Sequence, residues 1–256
     1  MPLSRNNIKY LGSLKLKKFR NLHGQFLVEG DKIIGDLLRG RRFAIRQLIA
    51  TGDWLAANQV WLSGLGDIIE TGIKDLARIS SLEVPPPVIA VLDMPQNALN
   101  IGEIKGSWSL VLDNIQDPGN LGTIIRTADW FGIRHIICSI DCADCFSPKV
   151  VQASMGALMN LQVHYTCLTD LMNSMSFNTS YRSYGTFIKG TPLYEVPPAS
   201  NGMVLFGNEA RGISDELQPY ILSRITIPAV SRNVPHVESL NVASAVAILC
   251  AWLIRK

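Results

Sequence analysis

The sequence predicts an α/β protein of two parts, the second of them built on a parallel sheet. Three observations carry this reading. From residue 109 onward, short apolar runs alternate with stretches of helical spacing, the pattern of strands joined by crossover helices. A polar, glycine-containing stretch, NALNIGEIKGSW at 97–108, separates that regular half from a less regular first hundred residues and reads as a linker. A chain of 256 residues, 47% apolar and 18% charged, is also long enough for two cores. The expected domains are 1–98 and 106–256.

In the first part, NNIKYLGSLKLKKF (6–19) has helical spacing and QFLVEG (25–30) resembles a short strand. DKIIGDLLRG (31–40) is a helix opened by Asp31 and closed by Gly40, and AIRQLIAT (44–51) is a strand. Short helix and strand candidates follow up to VIAVLDM (88–94), with Pro85–Pro87 barring helix locally. In the second part the strands are SLVLDNI (109–115), HIICSI (135–140), VHYT (163–166), RSYGTFI (182–188), GMVLFGN (202–208) and RITIPA (224–229). The helices are NLGTIIRTADWFG (120–132), PKVVQASMGALM (148–159), TDLMNSM (169–175), ISDELQPYI (213–221) and SLNVASAVAILCAWLI (239–254). Strands and helices of this length, alternating, make a parallel sheet covered on both faces.

Several classes of function fall away. The longest apolar stretch, Ala243–Ile254, is too short for the roughly 20 residues that span a bilayer. The amino terminus lacks a continuous apolar secretory core, so a cytoplasmic protein without membrane partners is expected. Five cysteines form no disulfide framework, and the CxxC of Cys142 and Cys145 has no second ligand pair to close a zinc site. Neither a Walker loop nor a dinucleotide GxGxxG is present. Net charge is +3, but residues 1–50 hold eleven Lys/Arg against three acids, leaving 13 bases and 18 acids elsewhere. A basic front of this kind suits a polyanion, most plausibly nucleic acid.

The chemistry concentrates in three blocks at strand-to-helix junctions, where open parallel sheets bind ligands. In DNIQDPGNLGTIIRTADWFG (from Asp113), Asn120 is suited to cap the helix, and Arg126 lies nearly two turns on, toward the same cleft. In LFGNEARGIS (from Leu205), Gly207 and Gly212 flank Glu209, a carboxylate just past a strand end. In SLNVASAVAILCAW, Ser239 or Asn241 caps an apolar helix whose free N–H groups can also meet a ligand.

Together NLGTIIR, GNEARGIS and the IP…SLNVA run resemble the three signature motifs of the SpoU family of RNA 2′-O-ribose methyltransferases, of the SPOUT class. FRNLHGQFLVEGDKIIGDLL similarly resembles that family's substrate-binding domain, a smaller α/β module of the ribosomal-protein-like type. The resemblance implies a trefoil-knotted parallel-sheet domain that binds S-adenosylmethionine without a metal. It implies Asn120, Arg126, Glu209, Ser239 and Asn241 as the catalytic set, and Gly207, Ile227 and Leu240 as the cofactor-binding set. It further implies a homodimer acting on RNA, rRNA (23S) or else tRNA, and never on DNA, which lacks the 2′-hydroxyl. SPKVVQASMGAL (from Ser147) is similar to a further family segment, which places Ser154 and Gly156 near the cleft. The IPAVSRNVPHVES loop, Ile227 to Ser239, is a few residues longer than the family's, adding Arg232 and His236. Two rivals remain: a non-catalytic RNA-binding or ribosome-assembly factor of the same fold, and a base methyltransferase. The complete polar set of the three blocks argues against the first, and the kind of motif against the second.

Overall fold

The computed structural model describes residues 3–40, 44–95, 98–175, 181–197, 199–229 and 239–254. The first part runs α1 (Arg5–Ser13), α2 (Lys17–His23), β1 (Gln25–Glu29), α3 (Asp31–Gly40), β2 (Ile45–Ala50), α4 (Gly52–Asn58), β3 (Asp67–Glu70), α5 (Ile73–Ile79) and β4 (Val88–Asp93). Its sheet has the order β1-β4-β2-β3, with only β2 and β3 parallel. The single helix expected over 6–19 is broken in two. Gly12 and Ser13 are weak helix formers, and the Ser13 hydroxyl turns back onto the Tyr10 carbonyl. The break lets Leu11 and Leu14 both enter a core with Leu27, Ile49, Leu76 and Ile89.

The second part runs α6 (Ile101–Lys105), β5 (Trp108–Leu112), α7 (Pro118–Trp130), β6 (His135–Cys138), α8 (Pro148–Ser154), β7 (Gln162–Tyr165), α9 (Leu168–Ser174), β8 (Arg182–Pro192), β9 (Gly202–Phe206), β10 (Ser223–Thr226) and α10 (Val242–Leu253). Its six strands are ordered β10-β8-β9-β5-β6-β7 and every neighbouring pair is parallel, as the alternating pattern predicts. Buried strands of this kind carry unbroken apolar runs; Leu110, Val111, Leu112, Val204 and Leu205 are fully buried. Successive strands run outward from β5 through β6 to β7, whereas β9 lies on its other side. The order therefore reverses between β5 and β9, and a ligand crevice belongs at their carboxyl ends.

Two elements of this part differ from expectation. The stretch read as a linker forms α6, capped by Asn100, whose Oδ1 accepts the Gly102 N–H at 2.9 Å. Ile101 and Ile104, three residues apart, share one helix face and pack into the core of the parallel sheet. The segment ISDELQPYI forms a 3₁₀ turn, Asp215–Tyr220, because Pro219 has no N–H to continue an α-helix.

By internal packing the chain divides into Met1–Gln96 with Asp144–Met159, and Asn97–Ala143 with Asn160–Lys256. Residues 144–159 were expected in the second domain but group with the first. Two contacts explain it: the buried Arg20 guanidinium is ion-paired to Asp144, and the Phe26 ring lies 4.8 Å from that of Phe146. Ser154, expected near the cleft, is fully buried and its hydroxyl donates to the Val151 carbonyl. The path that would form the expected knot includes residues 230–238, which lie outside the described residues.

Arg20 also donates to the Leu14 and Lys15 carbonyls. Asp144→Ala would therefore leave a buried guanidinium only partly compensated. Urea unfolding should show a loss near the lower end of the range for a broken buried pair, about 3 kcal/mol. A loss under about 1 kcal/mol would show that the pair behaves as a solvated one.

Candidate functional site at the β5–β9 crevice

The first block leaves β5 at Leu112, directly beside Phe206, where β9 releases the second block. Asp117, not Asn120, caps α7: its Oδ1 accepts the Asn120 N–H at 2.7 Å, and Pro118 takes the first helical position. Proline is preorganised there and an acid favours the positive end of the helix dipole. The Asp–Pro pair carried this signal in the sequence. With capping done by its neighbour, the Asn120 side chain is available for other work.

That side chain is the centre of the site. Asn120 Nδ2 donates to Glu209 Oε1 at 2.6 Å, and Asn120 Oδ1 accepts from Asn241 Nδ2 at 3.0 Å. Asn241, not Ser239, caps α10, its Oδ1 accepting the N–H groups of Ala243 (2.9 Å) and Ser244 (3.4 Å). One residue from each block thus enters a single directional chain, Asn241 to Asn120 to Glu209. The donor at one end and the carboxylate at the other fix which way the Asn120 amide points.

Glu209 rides on a tight turn. Asn208 and Gly212 exchange both main-chain hydrogen bonds, 3.0 and 2.8 Å. Gly212 has φ +72°, and a Cβ on Gly207 would lie 2.1 Å from the Gly212 carbonyl carbon. Asn208 Oδ1 accepts the Ala210 and Arg211 N–H groups, and its Nδ2 donates to the Asn114 carbonyl. Beneath the turn, the buried Asp113 carboxylate accepts both the N–H and the hydroxyl of Ser214, at 2.7 and 2.6 Å. Asn114 adopts φ +57° between them, a conformation asparagine tolerates. Asn208, Asp113 and Ser214 gave no signal in the sequence beyond their place in the blocks. A cavity of about 200 Å³ opens here, lined by Asn114, Asn208, Arg211, Ser214 and Asp215.

Cys142 supports the first block from below. Ile115 N–H donates to its Sγ (3.2 Å), and the thiol donates to the Leu112 carbonyl (3.3 Å). Hydrogen bonding with Cys138, then with Ser139 and Ile115, outweighs burial and pulls its pKa down to about 7. None of the five cysteines forms a disulfide. Among the described residues no cluster of three or more His, Cys, Asp or Glu side chains could hold a metal.

The other expected residues stand apart from this chain of amides. Arg126 is exposed on α7 and has no ionic or hydrogen-bonded partner among the described residues. Six residues of helix place it about 120° around the axis from Asn120, so the two do not share a face. Ser239 and Leu240 are exposed and Ile227 half-buried. Leu240, 48% exposed beside the Asn241 cap, offers an apolar surface of the sort an adenosyl group covers. Arg232 and His236 lie outside the described residues.

Residues 107–251 match the model of the SpoU rRNA Methylase family, and residues 5–90 match the MRM3-like substrate binding domain. A 23S rRNA (guanosine(2553)-2′-O)-methyltransferase of Bacillus subtilis is 27% identical over 94% of this chain and 93% of its own. A TrmH-family structure from Porphyromonas gingivalis superposes with a TM-score of 0.85 at 40% identity, covering 99% and 98% of the two chains. An AdoMet-bound rRNA methyltransferase from Sinorhizobium meliloti superposes at 0.80 with 26% identity over 98% and 95%. The chain belongs to the SpoU rRNA methylase family.

The two glycines of the turn should respond differently to alanine. Gly207→Ala places a Cβ against backbone that cannot yield, so the turn must open and both stability and cofactor binding should fall sharply. Gly212→Ala meets no neighbouring atom and should cost only the left-handed strain, about 1–2 kcal/mol. Thermal melts and titration calorimetry would separate them; equal losses would show that close approach is not what Gly207 serves.

Proposed function

We propose that this protein transfers the methyl group of S-adenosylmethionine to a ribose 2′-hydroxyl of 23S rRNA. The observation that carries the proposal is the Asn241–Asn120–Glu209 chain, which draws one residue from each motif to the switch point of the sheet. Relatives named for this reaction modify guanosine in Bacillus subtilis and uridine in Streptomyces viridochromogenes, so the base is a property of each member.

Gly207, Ile227 and Leu240, at the carboxyl ends of β9 and β10 and before α10, would hold the cofactor. When bound, it supplies an electrophilic methyl group on a sulfonium. The chain's own residues prepare the nucleophile. Glu209 Oε1 is already engaged by Asn120, leaving the other carboxylate oxygen to accept the hydrogen of the attacking 2′-hydroxyl. Arg126 cannot serve as a base, because a guanidinium stays protonated. Its role is to stabilise the oxyanion as it develops and to grip a neighbouring phosphate, which its planar fork suits. Ser239 and Asn241 complete the rim. Most of the acceleration comes from aligning oxygen, methyl and sulfur.

The first unit supplies RNA affinity. Not all of its bases are available: Arg20 is buried in its ion pair, Arg39 pairs with Asp36, and Lys15 Nζ donates to the Ser80 carbonyl. Arg5, Lys9, Lys17, Lys18, Lys32 and Arg46 are exposed and unpaired among the described residues, and they support the reading. A cytoplasmic homodimer belongs to the same proposal. The exposed Trp130 at the end of α7 and Ile254 beyond α10, at 85% and 50% on two helices that pack together, support contact with a second copy. No helix among the described residues is long and apolar enough to cross a membrane.

Incubating the protein with labelled S-adenosylmethionine and an unmodified 23S rRNA transcript should label one nucleotide and make its 3′ bond resistant to alkali. Labelling without alkali resistance would point to a base instead. Arg126→Ala should lower transfer by about 10²–10³-fold with cofactor affinity retained; loss of cofactor affinity alone would refute its role. Lys9→Gln, Lys17→Gln and Lys18→Gln together should flatten the salt dependence of RNA binding by about 0.7–0.9 per phosphate contact removed. An unchanged slope would mean these lysines only face solvent.

A further inference from the structure

We infer that Asn208 is a positioning residue for the reaction: it makes the 208–212 turn a rigid mount that holds the Glu209 carboxylate against Asn120. The inference rests on the reading of Glu209 as a group that meets the substrate. Asn208 takes part in five hydrogen bonds. Its main chain exchanges two with Gly212, its Oδ1 accepts two from Ala210 and Arg211, and its Nδ2 gives one to the Asn114 carbonyl. Every one closes the turn on itself or ties it to the loop after β5.

The surroundings show why such a mount is needed. Glu209, Ala210, Arg211 and Gly212 are all exposed, so no side-chain packing among the described residues fixes the backbone that carries the carboxylate. A glutamate has three side-chain torsions, and its one described contact is with Asn120 Nδ2. The base of the turn is held elsewhere, by the two bonds from Ser214 to Asp113. Removing the Asn208 side chain leaves the main-chain bridge and that base anchor intact. It frees the Ala210 and Arg211 N–H groups and cuts the tether to Asn114. The tip would then swing about its base, and the carboxylate would lose its register with Asn120.

A double-mutant cycle tests this in the full-length protein, with labelled S-adenosylmethionine and an unmodified 23S rRNA transcript. Asn208→Ala should lower kcat on the order of 100-fold, the scale of a 1 Å misplacement, with the RNA KM and cofactor Kd changed less than about threefold. In a Glu209→Ala background the same substitution should have almost no further effect, because groups that act through one another are not additive. Additive losses would overturn the positioning role while leaving Glu209 in place. A Glu209→Ala protein of unchanged activity would overturn the reading of Glu209 and the inference with it. Hydrogen exchange of peptides spanning 207–214 supplies a readout without catalysis. Ala210 and Arg211 should lose protection in Asn208→Ala and regain it in Asn208→Asp, which keeps the acceptor; unchanged protection in Asn208→Ala would overturn the inference. If Asn208→Ala does not fold, Asn208→Asp, which keeps the acceptor for Ala210 and Arg211 but cuts the tether to the Asn114 carbonyl, enters the same cycle. A loss that persists unchanged without Glu209 would again refute the mount.

Discussion

The lateral pairing of β5 with β9 is the constraint on which the site depends. Five consecutive residue pairs, from Trp108 with Gly202 to Leu112 with Phe206, fix the register of two parallel strands distant in sequence. The last pair ends both strands at the same level, so the loops that follow emerge side by side. A slip of one residue would turn every side chain to the opposite face. With both faces of these strands buried, the cost of that slip is the repacking of two close-packed layers at once. Asp113 and Ser214, one residue beyond β5 and eight beyond β9, then lock the loops together through a buried carboxylate. Such a group is costly to bury unless its oxygens are satisfied, and here a main-chain and a side-chain donor meet one of them.

The third block reaches this place by a longer route. β10 is the edge strand, separated from β5 by β8 and β9. At a spacing of about 4.8 Å per strand, the chain must travel back some 14 Å to bring α10 beside α7. Asn241 secures the arrival twice, by capping α10 and by donating to Asn120. Capping and site assembly are therefore one structural event. The same holds at α7, where Asp117 caps the helix and so releases Asn120 to join the two other blocks.

What the sequence revealed follows from the range of the interactions involved. The strands of the parallel sheet were legible because each is a local apolar run, and the three blocks because glycine, asparagine and charged residues cluster at junctions. Asp117–Pro118 carries the local signal for the cap of α7, three residues before the Asn120 that also suits one. α6 reads as linker because Gly102, Glu103 and Lys105 make three of its five residues polar or small, and only the shared core contact of Ile101 and Ile104 marks it as a helix. The segment 213–221 reads as a helix by its spacing, and Pro219 is the local sign that it closes as a 3₁₀ turn instead. Contacts across the chain were not legible at all. Nothing near Arg20 announces Asp144, more than a hundred residues away, so a charge counted toward an RNA-facing front is instead buried structure. Likewise Arg126 and Asn120 share a motif but not a helix face.

Among the described residues the site is open, and that bears on how its chemistry can work. Glu209, Ser239, Leu240 and Asn241 are exposed, and Asn120 is half-buried. Electrostatic stabilisation of a developing oxyanion is weak in water and grows only as the local dielectric falls. Among the described residues no side chain covers these groups, so what binds would itself supply burial. A cofactor over Leu240 and Ile227 and a ribose against Glu209 would each exclude water from the other's side of the crevice. The amide chain through Asn120 is suited to this sequence of events, because it is assembled before either arrives and needs no reorganisation as water leaves. The protein prepares the geometry and the ligands complete the environment.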